Sequence, residues 1–156
     1  MKDKKNLICK VIFTLLSVSI ISFVFINSSL DASESTVQST GVREFVNSII
    51  KTLGLSFQFT EHFVRKCAHF AEYFALSVSL FFMFMSYLKK HTRILISTLL
   101  TGLLTACVDE IIQLFSSGRS AQFSDVMLDF SGVLIAACLL YIVILKLKKR
   151  GKFNYE

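Results

Sequence analysis

The chain has 156 residues, of which 53% are hydrophobic and 16 are Phe, with no Pro. Its apolar residues fall in long blocks instead of spreading as a soluble core requires, which excludes an ordinary globular domain and makes a bilayer the solvent. The net charge of +6 is compatible with a nucleic-acid ligand until the basic residues are sorted by position, and that sorting removes nucleic acid from the expected partners.

Four stretches approach or exceed the ~20 residues that an α-helix needs to cross a hydrocarbon core: residues 7–26, 67–88, 94–115 and 123–145. They predict an all-α, four-helix transmembrane bundle forming one domain over residues 1–156. The first stretch follows the segment MKDKK and is interrupted only by Lys10 and small polar residues. Its length exceeds the ~15 residues of a signal-peptide core, and Leu30-Asp31-Ala32 is a poor cleavage site, so it reads as a retained anchor.

Of the 17 Lys and Arg, twelve lie at the two chain ends and in the second connection: Lys2, Lys4, Lys5 and Lys10, then Lys89, Lys90 and Arg93, then Lys146, Lys148, Lys149, Arg150 and Lys152. Arg43, Lys51, Arg65, Lys66 and Arg119 are scattered over the first and third connections. The positive-inside rule then assigns both termini and the 89–93 loop to the cytoplasm, an N-in/C-in topology. The basic tail is suited to lie against anionic headgroups.

Between the first two spans, residues 27–40 are rich in Ser and poor in apolar residues, and are expected to form an exposed loop. From Val42 onward, Phe45, Val46, Ile49, Ile50 and Leu53 recur at helical spacing opposite Arg43, Glu44, Asn47 and Lys51, which predicts an amphipathic helix on the outer membrane surface, either a lid on the bundle or a binding element. The short connections at 89–93 and 116–120 make helices two and three, and three and four, antiparallel neighbours. No internal repeat supports an inverted-repeat transporter. Cys9, Cys67, Cys107 and Cys138 lie in or beside apolar segments without metal-ligand spacing and read as small buried hydrophobes, Cys67 and Cys107 being near enough in depth to allow a disulfide.

Ionisable groups in a membrane span cost at least ~2.5 kcal/mol each near the helix centre, so each is a functional suspect. The second span enters with Arg65, Lys66, His69 and Glu72, the third leaves with Asp109, Glu110 and Gln113, and the fourth re-enters with Asp125 and Asp129. Alternating direction gathers all of them at the outer end. Arg65, His69 and Glu72 follow i, i+4, i+7, while Asp109 with Gln113 and Asp125 with Asp129 are four apart, so each set shares a helical stripe and the stripes face one another. The cations near the start of the second span and the acids near the end of the third oppose their own helix dipoles, and each is expected to be relieved by the other across the antiparallel pair. The cluster is therefore either a buried ion-pair network that fixes packing or a polar ligand site.

The segments Arg65-Lys66-Cys67-Ala68-His69-Phe70-Ala71-Glu72-Tyr73, Asp109-Glu110-Ile111-Ile112-Gln113-Leu114-Phe115 and Gly118-Arg119, with Asp125, Gly132 and the serines around Asn27-Ser28-Ser29, Ser33 and Ser35, resemble the VanZ-like family of bacterial membrane proteins. Asp129 stands where that family commonly has Asn, and the Pro often found before Gly-Arg is absent. The resemblance implies a multi-pass protein of the bacterial cell membrane, in a Gram-positive host, and a link to low-level resistance to the lipid-tailed glycopeptide teicoplanin. No cofactor is expected from the sequence.

Three functions follow from the residues. In the first, an outward polar pocket binds an envelope lipid headgroup or lipid-linked glycan, with Arg65, Lys66 and Arg119 gripping phosphate or carboxylate and Tyr73, Asp109, Glu110, Gln113, Asp125 and Asp129 among the polar lining. The second is a membrane-embedded enzyme using His69 with Glu72 or Asp109 as acid and base. His69, Glu72, Asp109 and Asp125 are also a set able to hold a divalent cation, although no metal motif is present. The third is an assembly subunit without pocket chemistry. His62 and His91 sit in connections and read as solvated.

Overall fold

The computed structural model describes residues 2–150 and, among them, contains five helices and no strand. They are α1 (Lys2–Ser29), α2 (Ala32–Thr52), α3 (Glu61–Tyr87), α4 (His91–Leu114) and α5 (Phe123–Lys149). Four of them, α1, α3, α4 and α5, are long and apolar enough to cross a membrane. The spans α3 and α4 are the least apolar, with mean hydropathies of 1.4 and 1.7 against 2.4 for α1 and α5, because they carry most of the ionisable cluster. Lys152 lies outside the described residues.

The helices run beyond the apolar stretches. Helix α3 begins at Glu61, six residues before the apolar stretch expected at 67–88, with the Thr60 hydroxyl accepting from the Phe63 amide as its N-cap. Arg65 and Lys66 are thereby held on a formed helix. The spans alternate in direction, so Ser29, Glu61, Leu114 and Phe123 gather at one end, where α2 also lies, and the basic 89–93 and 146–150 segments gather at the other.

Helix α3 is the hub, packing against all four other helices. Its core residues Tyr73, Leu76 and Leu80 meet Val24, Ala106 and Val133 from α1, α4 and α5. Lipid tails are as apolar as Leu, so close backbone approach and polar links carry more of the association than burial does. Gly132 supplies the closest approach: a Cβ there would lie 2.6 Å from the Phe70 carbonyl oxygen, which only a glycine on α5 permits. Ser77 donates to the Val133 carbonyl at 2.8 Å, and Ser17 and Ser79 share a 2.8 Å hydroxyl bond between α1 and α3. Leu15, Ile26, Leu100, Leu104 and Leu139 remain exposed on the outer faces, as lipid contact requires.

Two expectations are corrected. The 27–40 stretch is not a loop: α1 continues through Ser29 and α2 starts at Ala32. The Asp31 carboxylate accepts from the Glu34 amide at 2.9 Å, and Glu34 reaches back to the Asp31 amide at 3.3 Å, a reciprocal capping box that starts the helix despite its polar composition. Ser35 and Ser39, one turn apart, are buried against the bundle. The four cysteines are not buried either: Cys9 and Cys67 are exposed, Cys107 and Cys138 partly so, and all are free. They point outward from the bundle, where a thiol in contact with lipid has the same apolar surroundings as one in a core.

Candidate functional site

Three helix ends and a roof build the site. Arg65, Lys66, His69, Glu72 and Tyr73 come from the first four turns of α3, Asp109, Glu110 and Gln113 from the last turns of α4, Asp125 and Asp129 from the first turns of α5, and Arg119 from the α4–α5 turn, which closes through Gly118 at a positive φ of 74°. Asp109, Glu110, Gln113 and Asp129 are buried, and Tyr73 is fully so. The eleven residues predicted from sequence are thus assembled at one end of the bundle.

The pairing within the cluster differs from expectation. The α3 cations do not neutralise the α4 acids. Lys66 Nζ bonds Asp125 Oδ1 of α5 at 3.0 Å, and Arg65 Nη1 lies 3.4 Å from Glu61 Oε1 one turn earlier in its own helix. The reason is depth: both cations stand in the first two turns of α3, level with the start of α5, whereas Asp109 lies further down α4.

Arg119 is a structural crosspiece. Its Nη1 donates to the carbonyls of Asn27 and Ser28 at 3.4 and 3.1 Å, at the C-terminal end of α1, and its Nη2 donates to the Ser35 hydroxyl of α2 at 3.1 Å. A cation there also complements the dipole of α1. Burial, and next the neighbouring Arg65, pull the guanidinium below its ordinary pKa, while Asp109 and Glu110 pull the other way; an arginine stays charged in any case. Helix α2 is further tied by Ser39 Oγ to Glu61 Oε1 at 2.9 Å, by the Ala32 amide to the Ser117 carbonyl at 3.0 Å, and by Asn47, which exchanges side-chain bonds with both backbone groups of Phe59.

Below this layer the acids are left largely to themselves. Gln113 Nε2 donates to Asp109 Oδ2 at 3.2 Å and to the Ser28 hydroxyl at 3.4 Å. Asn27 Nδ2 reaches Glu72 Oε1 at 3.5 Å, and the Gln122 amide donates to Glu110 Oε1. His69 Nδ1 lies 3.8 Å from Glu72 Oε2, beyond hydrogen-bond length. Among the described residues, no Lys or Arg nitrogen comes within 4.0 Å of Glu72, Asp109, Glu110 or Asp129.

Sequence reasoning missed Asn27, Ser28, Ser35 and Glu61 as working parts of the cluster. Glu61 was discoverable from its i, i+4 spacing to Arg65. Asn27, Ser28 and Ser35 entered only through the family resemblance, which gave them no part in the cluster.

Two cavities flank Arg65, His69 and Arg119, which line both. One, of about 160 Å³, is lined also by Lys66, Gln113, Asp125 and Asp129. The other, of about 380 Å³, lies between α1, α2 and α3 and adds Asn27, Ser35, Ser39 and Glu72 to the apolar Phe23, Val42, Val64 and Ala68.

The VanZ/LLP1 family model matches residues 13–145. The chain belongs to the VanZ-like family. The match runs from the middle of α1 to the last turns of α5 and so contains α2 and every residue of the cluster. No curated protein and no solved structure gives a significant match to this VanZ-like chain.

Proposed function

We propose that this VanZ-like protein binds an amphiphile with an anionic headgroup, a lipid or lipid-linked envelope molecule, at the α2 end of the bundle, and that this end faces outward. The reading is carried by one observation: Arg65, His69 and Arg119 form a wall common to a small polar cavity and a larger, partly apolar one. A phosphate or carboxylate lodged against that wall meets the guanidinium N–H groups of Arg65 and Arg119 that are not already given to Glu61, to the Asn27 and Ser28 carbonyls and to Ser35. The attached chain would lie along Phe23, Val42 and Ala68, which are all exposed on the flank of the bundle. The outward orientation is supported by the basic 89–93 and 146–150 segments at the opposite end, which the positive-inside rule assigns to the cytoplasm.

The test is lipid extraction and mass spectrometry of purified wild type and Arg119→Ala, matched for amount. An anionic lipid enriched with the wild type and depleted at least ~10-fold in the variant, the effect of losing one charged bidentate contact, supports the reading. Equal lipid profiles refute it. Protection against teicoplanin on expression in a susceptible Gram-positive host, lost in Arg119→Ala at equal membrane abundance, would extend the reading to the resistance role that the family resemblance implies.

A second reading, acid–base chemistry on the bound headgroup, is favoured by the 3.8 Å separation of His69 and Glu72 on the wall of the larger cavity. An apo separation of that size can tighten around a substrate. It predicts turnover of the copurifying lipid by wild type and none by His69→Gln.

A further inference from the structure

We infer that His69, Asp109 and Asp129 form a binding site for one divalent transition-metal cation of the Zn²⁺ type, each helix of the α3–α4–α5 trio supplying one ligand. One donor atom from each of the three lies within 4.8 Å of the others. A cation equidistant from three atoms so spaced would sit about 2.8 Å from each, so side-chain movements of roughly 0.7 Å bring the bonds to the 2.0–2.2 Å of zinc with nitrogen and carboxylate ligands. Rotamer adjustment at the ends of Asp and His side chains supplies movements of that size.

Two independent observations point to a ligand. The first comes from the unsatisfied buried atoms, which also include His69 Nδ1, Glu72 Oε2, Tyr73 Oη and Glu110 Oε2: Asp109 and Asp129 are 0% and 2% exposed, and Oδ1 of each has no hydrogen-bond partner. A buried carboxylate oxygen without a partner costs at least ~1–3 kcal/mol, and natural structures rarely leave two side by side. The second is the charge balance. Each cation of the cluster is already committed, Lys66 to Asp125, Arg65 to Glu61 and Arg119 to backbone carbonyls and Ser35. Buried charges in a membrane protein pair, coordinate metal or give up their charge. A dication cancels Asp109 and Asp129 together, and the imidazole of His69 completes a mixed nitrogen and oxygen set that suits a borderline transition metal better than Mg²⁺ or Ca²⁺.

The surroundings are those of a metal centre. Gln113 holds the other oxygen of Asp109, and Glu72 stands beside His69 Nδ1 where it can orient the ring, as outer carboxylates do for ligating histidines. The polar cavity lined by His69, Asp129 and Gln113 provides an entry path and room for a fourth ligand. The geometry also revises the sequence reading, which offered Asp125 to a cation: Asp125 is turned to Lys66, and Asp129 takes its place.

This inference shares His69 with the lipid-binding wall but does not rest on lipid binding, whose charged contacts come from Arg65 and Arg119. The full chain, purified in detergent and stripped with EDTA, is dialysed against Zn²⁺ with Mg²⁺ in excess, and metal per chain is measured by elemental analysis. Separate samples are loaded with Co²⁺ for absorption spectra. The expected result is about one Zn²⁺ per chain in the wild type, an affinity at least ~10-fold weaker in Asp129→Asn and Asp109→Asn, and a Co²⁺ spectrum without thiolate charge-transfer bands. Wild-type loading below about one tenth of an equivalent overturns the site and leaves the two carboxyls to be balanced by protons. Undiminished Zn²⁺ affinity in a folded Asp129→Asn overturns it as well, as does a thiolate spectrum, which would assign the metal to the cysteines. If the Asn variants do not fold, the wild-type stoichiometry and Co²⁺ spectrum decide alone.

Discussion

Replacing Gly132 by Ala tests how closely α3 and α5 must approach to assemble the cluster. The added Cβ would meet the Phe70 carbonyl oxygen at 2.6 Å and the Phe74 amide nitrogen at 3.2 Å, both backbone atoms that cannot rotate aside. Carbon–oxygen contacts between helices settle near 3.3–3.6 Å, so the crossing must open by roughly 0.7–1.0 Å. Overpacking of this kind costs about 1–3 kcal/mol, against which Ala recovers ~1 kcal/mol of helix propensity, leaving a net loss of roughly 0–2 kcal/mol. Gly41, on α2, has nothing within 4 Å of its would-be Cβ, so Gly41→Ala carries only the propensity gain. Thermal unfolding of the two variants in the same detergent, followed by circular dichroism, should move the transition in opposite directions. Because Phe70 adjoins His69 and Gly132 lies one turn from Asp129, the Gly132 variant should also hold Zn²⁺ more weakly. Equal stabilisation of both variants would refute the close crossing at Gly132 and the argument that it sets the spacing of the site.

Other parts of the cluster give further expectations. The Lys66–Asp125 pair spans α3 and α5 with both side chains about one third exposed, so a Lys66→Met and Asp125→Asn double-mutant cycle should give a coupling near ~0.5–1 kcal/mol, falling with salt; a salt-independent coupling of several kcal/mol would mean the pair is sealed from water. Arg119→Lys keeps the charge but not the fork, and hydrogen exchange of α2 amides should quicken at least several-fold while α3–α5 stay protected. Asp31 is held below its usual carboxylate pKa chiefly by the Ser33 hydroxyl and then by the Glu34 amide. A depressed native pKa means a contribution present above the unfolded value of ~3.9 and lost as pH falls through the lower native one, so the protection of α2 amides relative to their intrinsic exchange rates should begin to fall below about pH 4, and Asp31→Asn should remove that pH step. Phe57→Cys, in the α2–α3 connection, should react with a membrane-impermeant thiol reagent in intact cells, and labelling only after lysis would invert the proposed orientation.

The four spans and the gathering of charge at one end were legible in the sequence because length, block hydropathy and alternation of direction are enough to determine them. The eleven predicted residues come together for that reason. Partner choice was not legible, since it depends on relative depth: Lys66 faces Asp125 rather than Asp109 because α3 starts at Glu61, a boundary set by the Thr60 cap and not by hydropathy. Residues 42–52 of helix α2 were legible as an amphipathic helix, but its first half was hidden by composition. Its serines look like loop residues, yet Asp31 with Glu34 was the available signal, and Ser35 and Ser39 are buried because Arg119 and Glu61 meet them. The cysteines were misjudged because a lipid-facing position and a core position select the same residue types.

The larger cavity has Phe23 of α1 and Ala68 of α3 on its rim, both exposed on spans that face hydrocarbon. An occupant arriving by that side door is drawn from the leaflet and not from bulk water. Its occupancy then follows surface mole fraction among competing lipids, so dilution of the sample would leave the bound fraction unchanged while a change in membrane composition would shift it. A protein of this design would report on the make-up of its own membrane.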